Sequence, residues 1–245
     1  MAAADCETQP LSMGAREGGT GFADKEIRRG FVQKVYGLLC CQLILTTIIA
    51  APLAIHPENV NKLMGAAPWL MWATLAIFIG IQCLIMCAPH HLRTFPQNYA
   101  ILFVFTACEG LFVGIISAQY KLESVALAAG LTAALCFGLT LFALQTKYDV
   151  TGMGPYLMCG LMALFLLGFI MMFLPGSPFL QKLYAVGGAL LFSFYLVYDT
   201  QLIVGGKHKR ANQFSIDDYI LAALAIYVDV IQIFLMVLQM MGERR

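Results

Sequence analysis

The sequence predicts an all-α integral membrane protein with seven transmembrane helices. Sixty per cent of its 245 residues are apolar and only 12% are charged, a composition outside the range of soluble domains. Apolar runs of about 20 residues, enough to cross a hydrocarbon core of about 30 Å, alternate with short polar breaks. The runs are continuously apolar, which favours helices over a β-barrel. The predicted spans are 33–54, 68–88, 99–118, 124–144, 155–174, 183–204 and 219–241.

The prolines agree with these limits, because all nine fall in the first thirty residues, in the breaks, or within a turn of a span end. Membrane proteins that coordinate ions with unwound backbone usually carry Gly or Pro interruptions at mid-span. No predicted span is interrupted by proline at its centre. Side chains are therefore the expected polar elements of the membrane interior.

The chain divides into a tail, residues 1–30, and a membrane domain, residues 31–242. The tail has mixed charge, several glycines and no apolar core, which predicts a flexible segment without a cleavable signal peptide. If the tail is cytosolic, most lysines and arginines lie on the cytosolic side, as the positive-inside rule requires. That orientation places the terminal GERR outside, so a six-span alternative with a re-entrant last segment and both termini cytosolic stays open.

Several classes of function are unsupported by the sequence. All four histidines lie in the predicted breaks, where they cannot converge inside the bilayer as zinc ligands or as the base of a serine protease. The chain also lacks a phosphate-binding glycine loop and a dinucleotide fingerprint. We expect no enzymatic activity, no cofactor and no nucleic-acid partner.

Three acids fall well inside predicted spans: Glu109 in FTACEGLFVG, Asp199 in LVYDTQLIV and Asp229 in IYVDVIQIF. Each costs about 2.5–3.5 kcal/mol near the bilayer centre on insertion scales, so they call for compensation or a function. A short loop makes the last two spans antiparallel neighbours and puts Asp199 and Asp229 at similar depth. We predict that these two carboxyl groups meet.

The last span carries a stripe of small and polar residues at alternating three- and four-residue steps, which places them on one helical face. This face is either a packing seam or a polar conduit, and the pattern leaves both open. The stripe consists of Ala222, Ala225, Asp229, Gln232, Met236 and Gln239.

Two carboxyl groups in contact away from water share a proton, which makes the pair a proton sensor. Fully ionised, Asp199 and Asp229 form a hard oxygen site suited to a transient calcium ion. Glu109 would add a third oxygen if its span lies beside them, and Gln232 and Gln239 are further candidate pore or ion contacts.

At these residues the chain resembles the Bax-inhibitor family of membrane proteins, which includes the lifeguard and Golgi anti-apoptotic proteins. The segment GGALLFSFYLVYDTQLI, followed by ALAIYVDVIQIF, is similar to the family's last two spans. RRGFVQKVYGLLCCQLILTT resembles its first span, and ALCFGLTLFALQTKYD its fourth span with the following loop. Glu109 in CEGLFVG matches an acid of the eukaryotic lifeguard branch. The resemblance covers residues 28–242.

The resemblance implies a seven-helix bundle in which the other six helices surround the last one. It also implies a pH-responsive calcium leak from internal stores and suppression of cell death. Asp199 and Asp229 fall on the family's paired aspartates, its proton sensor and gate. Bacterial members latch the sixth-span aspartate with an arginine from the inner end of the second span, for which Arg93 is the nearest candidate. Gln232 and Gln239 stand where many members have Asn and a basic residue.

The expected protein is therefore a pH-sensitive calcium leak channel of the Golgi or endoplasmic reticulum with a cytosolic N-terminus. Its expected partners are the lipid bilayer, the permeant calcium ion and apoptosis-regulating membrane proteins. One alternative is a membrane interaction protein without permeation, indicated by the mixed-charge tail and the basic loop 207–210. A calcium/proton exchanger and a seven-span receptor are two further alternatives.

Overall fold

The computed structural model describes residues 14–67, 69, 73, 76, 80, 94, 96–173, 177–205, 214–215 and 218–245. These residues are helical or connecting chain, and one isolated bridge between Tyr120 and Arg244 is the only β pairing among them. The predicted all-α membrane fold is confirmed. The helices are α1 (Gly14–Ile55), α2 (Pro57–Ala66), α3 (Gln97–Ser117), α4 (Leu122–Gln145), α5 (Gly154–Phe173), α6 (Pro178–Val204) and α7 (Tyr219–Met241).

Within the described residues, six helical segments are long and apolar enough to cross a membrane. They are Glu26–Ile55, Gln97–Ser117, Leu122–Gln145, Thr151–Met171, Pro178–Val204 and Tyr219–Met241. The predicted second span, 68–88, lies outside the described residues except for 69, 73, 76 and 80, which are helical. Large apolar side chains such as Phe137 on α4 and Phe165 on α5 are exposed, as expected of helices that face lipid.

Local sequence accounts for both ends of α6. The Ser177 hydroxyl accepts a hydrogen bond from the Leu180 N–H at 3.4 Å, and Pro178 occupies the first turn, where its missing N–H is not needed. The helix ends at Gly205, whose φ of 65° is a left-handed conformation that glycine adopts without steric cost.

The first helix begins earlier than predicted. α1 starts at Gly14, so residues 14–30 are helical although the sequence predicted them as part of a flexible tail. The physical reason is that no proline occurs between Pro10 and Pro52, and the stretch ADKEIRR consists largely of good helix formers that extend the apolar helix toward the N-terminus.

Side-chain contacts define two ends of the bundle. At one end, the Arg28 guanidinium of α1 donates to the carbonyl oxygens of Leu202, in the last turn of α6, and Phe214, before α7. Asn98 in the first turn of α3 donates to the hydroxyl of Tyr219, the first residue of α7, at 3.2 Å. We call this end the Arg28 face.

The opposite end is the Lys121 face, between α3 and α4. The Lys121 N–H donates to the carbonyl oxygen of Glu243 at 2.9 Å, and the Arg245 N–H donates to that of Gln119 at 3.0 Å. The Arg245 guanidinium also donates to the carbonyl oxygen of Ala54 in the last turn of α1 at 3.0 Å. The ends of α1, α3 and α7 therefore meet at the Lys121 face.

These contacts settle the path of the chain. α7 runs as one unbroken helix from the Arg28 face to the Lys121 face, whereas a re-entrant segment would return to the face it entered. α1 ends at the Lys121 face and α3 begins at the Arg28 face. The predicted second span lies in the interval between these two points of the chain, Ala67 to Gln97.

The last helix is central, as predicted. α7 is the most buried of the six apolar helices and packs against α1, α3, α4 and α6. Its buried side chains, among them Tyr227, Ile233 and Leu238, belong to the core that all of these helices share. α5 packs mainly on α6 and lies at the outside of the bundle.

Candidate functional site

The α6–α7 pair positions the first two buried acids. Gly188 on α6 lies against Met236 on α7, where an added Cβ would come within 2.7 Å of the Met236 sulfur. This absence of a side chain lets the two helices approach closely. This close helix pair is the one that carries Asp199 and Asp229.

The carboxyl groups of Asp199 and Asp229 are hydrogen-bonded to each other. Both residues are buried, with 8% and 4% of their surface exposed. Two carboxyl groups can form such a hydrogen bond only if one of them holds a proton, so at least one of the two is protonated in this contact. The structure brings these two predicted residues together, and their role as a proton sensor stays a prediction.

One oxygen of the Asp229 carboxyl group accepts no hydrogen bond from the described residues. Its Oδ2 atom is buried and has no hydrogen-bond partner among the described residues. The hydroxyls of Tyr195 and Tyr198 lie close enough to Asp199 to interact with it electrostatically, as does the Cys136 thiol with Asp229. The pair is therefore surrounded by weakly polar groups from α4 and α6.

One cavity is lined by the aspartate pair, and a second lies close to it. The first, of about 230 Å³, is lined by Asp199 and Asp229 themselves, by Tyr195 of α6, and by Leu221 and Val228 of α7.

A larger cavity of about 570 Å³ lies between α1 and α4, with α7 as its back wall, and extends to Ala54 and Ser117 near the Lys121 face. Cys136, the residue beside Asp229, lines this larger cavity. Its lining includes the Ser117 and Thr132 hydroxyls, which have no hydrogen-bond partner among the described residues.

The predicted stripe on α7 faces α6 at two of its positions. Asp229 meets Asp199, and Met236 meets Gly188. Gln232 and Gln239 are half-buried and do not line either of the two cavities. Arg93, the predicted latch base, lies outside the described residues.

The third buried acid does not join the aspartate pair. Glu109 on α3 is 2% exposed and interacts electrostatically with the Tyr227 hydroxyl on α7. No group of three His, Cys, Asp or Glu side chains that could hold a metal ion occurs in the described part of the chain. The condition under which Glu109 would add a third oxygen to Asp199 and Asp229 is therefore not met among these residues, since the helix that carries Glu109 packs mainly on α1.

Two polar residues near the pair were not predicted from the sequence. Gln201, two residues after Asp199, accepts a hydrogen bond from the Val150 N–H at 2.8 Å and donates to the Tyr148 carbonyl at 3.0 Å. It thereby ties the loop after α4 to α6. Arg28 binds the α6–α7 connection. The only sequence signal for Gln201 was its polarity inside an apolar run. No sequence pattern indicated a special role for Arg28.

The model of the family described as inhibitor of apoptosis-promoting Bax1 matches residues 28–245. The chain belongs to this Bax inhibitor family. Within it, Protein lifeguard 3 of Homo sapiens is 34% identical over 224 residues, which are 90% of this chain and 71% of the relative. Lifeguard 3 of Mus musculus is also 34% identical, over the same shares of both chains. Bax inhibitor 1 of Schizosaccharomyces pombe is 32% identical over 222 residues, 89% of this chain and 78% of the relative.

Membership in the Bax inhibitor family confirms the resemblance seen in the sequence. The match begins at Arg28, the residue that contacts the α6–α7 connection, and contains every helix after it. The family description and the names of these relatives refer to inhibition of a cell-death factor and to lifeguards, and none of them denotes an enzyme.

Proposed function

We propose that this Bax inhibitor family protein is a pH-sensitive calcium leak channel of the endoplasmic reticulum or Golgi membrane. Its leak lowers the calcium content of the store and thereby suppresses cell death, with the N-terminus in the cytosol. The observation that carries the proposal is the buried hydrogen-bonded contact between Asp199 and Asp229.

The chemistry of the pair supports a link between protons and calcium. Holding one proton, Asp199 and Asp229 attract each other and carry at most one negative charge between them. When that proton leaves, two carboxylates lie in contact in a medium of low dielectric constant, where they repel each other or bind a divalent cation. Protons and calcium thus compete for the same oxygens, and calcium binds only transiently.

Cavities beside the pair support a route for ions to it. The 230 Å³ cavity is lined by both aspartates, and the 570 Å³ cavity extends from Cys136, beside Asp229, to Ala54 and Ser117 near the Lys121 face. Leu196 and Val230, apolar neighbours of the pair in sequence, line the larger cavity.

The test is calcium flux into liposomes that contain the purified protein and a calcium dye. We expect flux above that of empty vesicles and a change in flux between mildly acidic and mildly alkaline pH. Asp199→Asn and Asp229→Asn should each flatten this pH dependence, because an amide neither titrates nor shares a proton. Glu123→Gln, which removes an exposed acid in the first turn of α4, is the matched control. An unchanged pH profile in both aspartate variants would refute the sensor assignment.

The family description favours a second candidate function, a membrane interaction protein that restrains a cell-death factor without conducting ions. The segments that suggested it in the sequence, the tail up to residue 13 and the loop 207–210, lie outside the described residues. An Asp229→Asn protein that no longer leaks yet still protects cells would favour interaction over permeation. An opposed proton current during calcium flux would instead indicate a calcium/proton exchanger.

A further inference from the structure

A second buried polar cluster lies on the other side of α7 from the aspartate pair. Tyr227 and Asp229 are two residues apart, which corresponds to about 200° around a helix and about 3 Å along its axis. Asp229 faces α6, whereas the Tyr227 hydroxyl contacts Thr46 of α1 at 2.7 Å. Two polar centres therefore lie at the same depth on opposite faces of the central helix.

The second cluster joins three helices and is closed to solvent. Gln42 of α1 donates from Nε2 to the Thr106 hydroxyl of α3 at 3.1 Å. The cluster also contains Thr46, Glu109 and Tyr227, and each of its five residues is at most 5% exposed. We call these residues the Glu109 cluster.

Most hydrogen-bonding groups of the Glu109 cluster are paired with one another. The Thr46 oxygen lies between the Gln42 carbonyl oxygen, at 2.8 Å, and the Tyr227 hydroxyl. The Thr106 hydroxyl donates to the Leu102 carbonyl at 2.8 Å and accepts from Gln42. The hydroxyl groups of Thr46, Thr106 and Tyr227 therefore already use their hydrogens in bonds to neighbouring oxygens.

Two atoms remain without a partner among the described residues: Oε2 of Glu109 and Oε1 of Gln42. Both are acceptors, and both belong to side chains more than nine-tenths buried. No ion pair of Glu109 occurs within the described part of the chain, and the titratable groups that interact with it are Cys108 and Tyr227. The cluster therefore has an excess of oxygen acceptors and lacks a positive charge.

A carboxylate, an amide oxygen and nearby hydroxyl oxygens are the ligands that hard cations prefer. We propose that Glu109 and Gln42 bind one small hard cation, calcium or sodium, at a site separate from the aspartate pair. This inference deepens the proposed function, because it adds a second ion site to the same bundle. Binding can nevertheless be measured without any flux.

The experiment measures thermal unfolding of the full chain in nanodiscs of zwitterionic lipid, with calcium chloride, sodium chloride or choline chloride at matched ionic strength and fixed pH. It uses the Asp199→Asn/Asp229→Asn double variant, in which the aspartate pair cannot contribute charge. A ligand that binds only the folded state raises the unfolding temperature with its concentration. We expect calcium or sodium, but not choline, to raise it in the double variant.

Adding Glu109→Gln to the double variant should abolish this ion-dependent rise, and Glu123→Gln should leave it intact. Gln42→Met, which removes the amide oxygen and keeps the side-chain length, should weaken the rise and covers the case in which Glu109→Gln fails to fold. A double variant whose unfolding temperature is the same in calcium, sodium and choline chloride would overturn the proposal, as expected if Glu109 is protonated and binds no cation. An equal rise with and without Glu109 would overturn it as well.

The outcomes separate this inference from the proposed function. Ion-dependent stabilisation that requires Glu109 supports the second site even if liposomes show no calcium flux. Flux that depends on Asp199 and Asp229, in a protein whose double variant shows no ion-dependent rise, supports the leak and overturns the second site.

Discussion

At the scale of single residues, two glycines on α3 determine how closely α1 approaches it. An added Cβ at Gly110 would lie 3.2 Å from the Ile49 Cβ, and one at Gly114 would lie 2.6 Å from the Leu53 Cδ1 and 3.1 Å from the Ala50 Cα. Glycines four residues apart are a common means of close helix packing in membranes. This close approach lets Gln42 of α1 contact Thr106 of α3 within the Glu109 cluster.

Gly114→Ala should destabilise the protein by about 1–3 kcal/mol, the usual cost of overpacking, because the new methyl group meets the backbone of α1. Gly130→Ala is the matched control, since nothing lies within 4 Å of the position a Cβ would take there. It should stabilise helix α4 by about 0.5–1 kcal/mol. Thermal unfolding in detergent measures both, and a Gly114→Ala protein as stable as the control would contradict the close α1–α3 contact.

At the scale of helices, α1 holds the connection between α6 and α7. Arg28 bridges the carbonyl oxygens of Leu202 and Phe214 at 2.6 and 2.7 Å, and its guanidinium lies 4.8 Å from the centre of the Phe31 ring. The Lys34 ammonium lies over the ring of Tyr219, 3.3 Å from its centre. Leu202 is one helical turn after Asp199, so this contact fixes the end of the helix that carries the first aspartate.

Arg28→Lys should loosen the start of α7, because an ammonium group cannot reproduce the planar fork that contacts both carbonyls. Hydrogen bonds to charged groups contribute about 1.5–3 kcal/mol, and we expect a loss of about 1 kcal/mol at this half-buried position. Arg29→Lys, at the exposed neighbour, is the control and should be neutral. Faster amide hydrogen exchange at residues 219–222 in the Arg28 variant alone is the expected readout, and equal exchange in both would contradict the contact.

At the scale of the whole molecule, the C-terminus ties α7 to the Lys121 face. The Lys121 ammonium forms an exposed ion pair with Glu243, and the Glu243 N–H donates to the Ser124 hydroxyl at 3.1 Å. The hydrogen bond and charge of Lys121 lower the pKa of Glu243 below its ordinary value of 4.5, and Glu243 raises the pKa of Lys121 above 10.5.

The contribution of this ion pair follows from the direction of each shift. It is lost as pH falls through the lowered pKa of Glu243, or as pH rises through the raised pKa of Lys121. Between these limits both groups stay charged, so the C-terminal contact does not change near neutral pH. A pH response of the leak near neutrality must therefore arise elsewhere in the protein.

The fold predicts that the two termini lie on opposite sides of the membrane. Short epitope tags placed before Met1 and after Arg245 should differ in protease protection in sealed microsomes, because α7 crosses from the Arg28 face to the Lys121 face. Detergent permeabilisation, which should expose both tags, is the control. Cleavage of both tags in intact vesicles would support the re-entrant alternative and contradict the observed path of α7.

The sequence predicted the features that depend on local pattern. Continuous apolar runs predict membrane helices wherever they occur, and the predicted end of the sixth span at residue 204 coincides with the end of α6, where Gly205 takes a positive φ. The meeting of Asp199 with Asp229 could also be anticipated, since a short loop between antiparallel helices restricts which depths face each other.

The features that only the tertiary structure decided are contacts between helices that lie far apart in the sequence. Gln42 meets Thr106, one turn before Glu109, because α1 packs on α3, and Arg28 reaches Leu202 across 174 positions of sequence. The end of the bundle reached by the C-terminus follows from contacts of Glu243 and Arg245 with the α3–α4 turn and α1. Apolar periodicity shows only that a helix has a protein-facing side, and close packing of complementary surfaces selects the neighbour it meets.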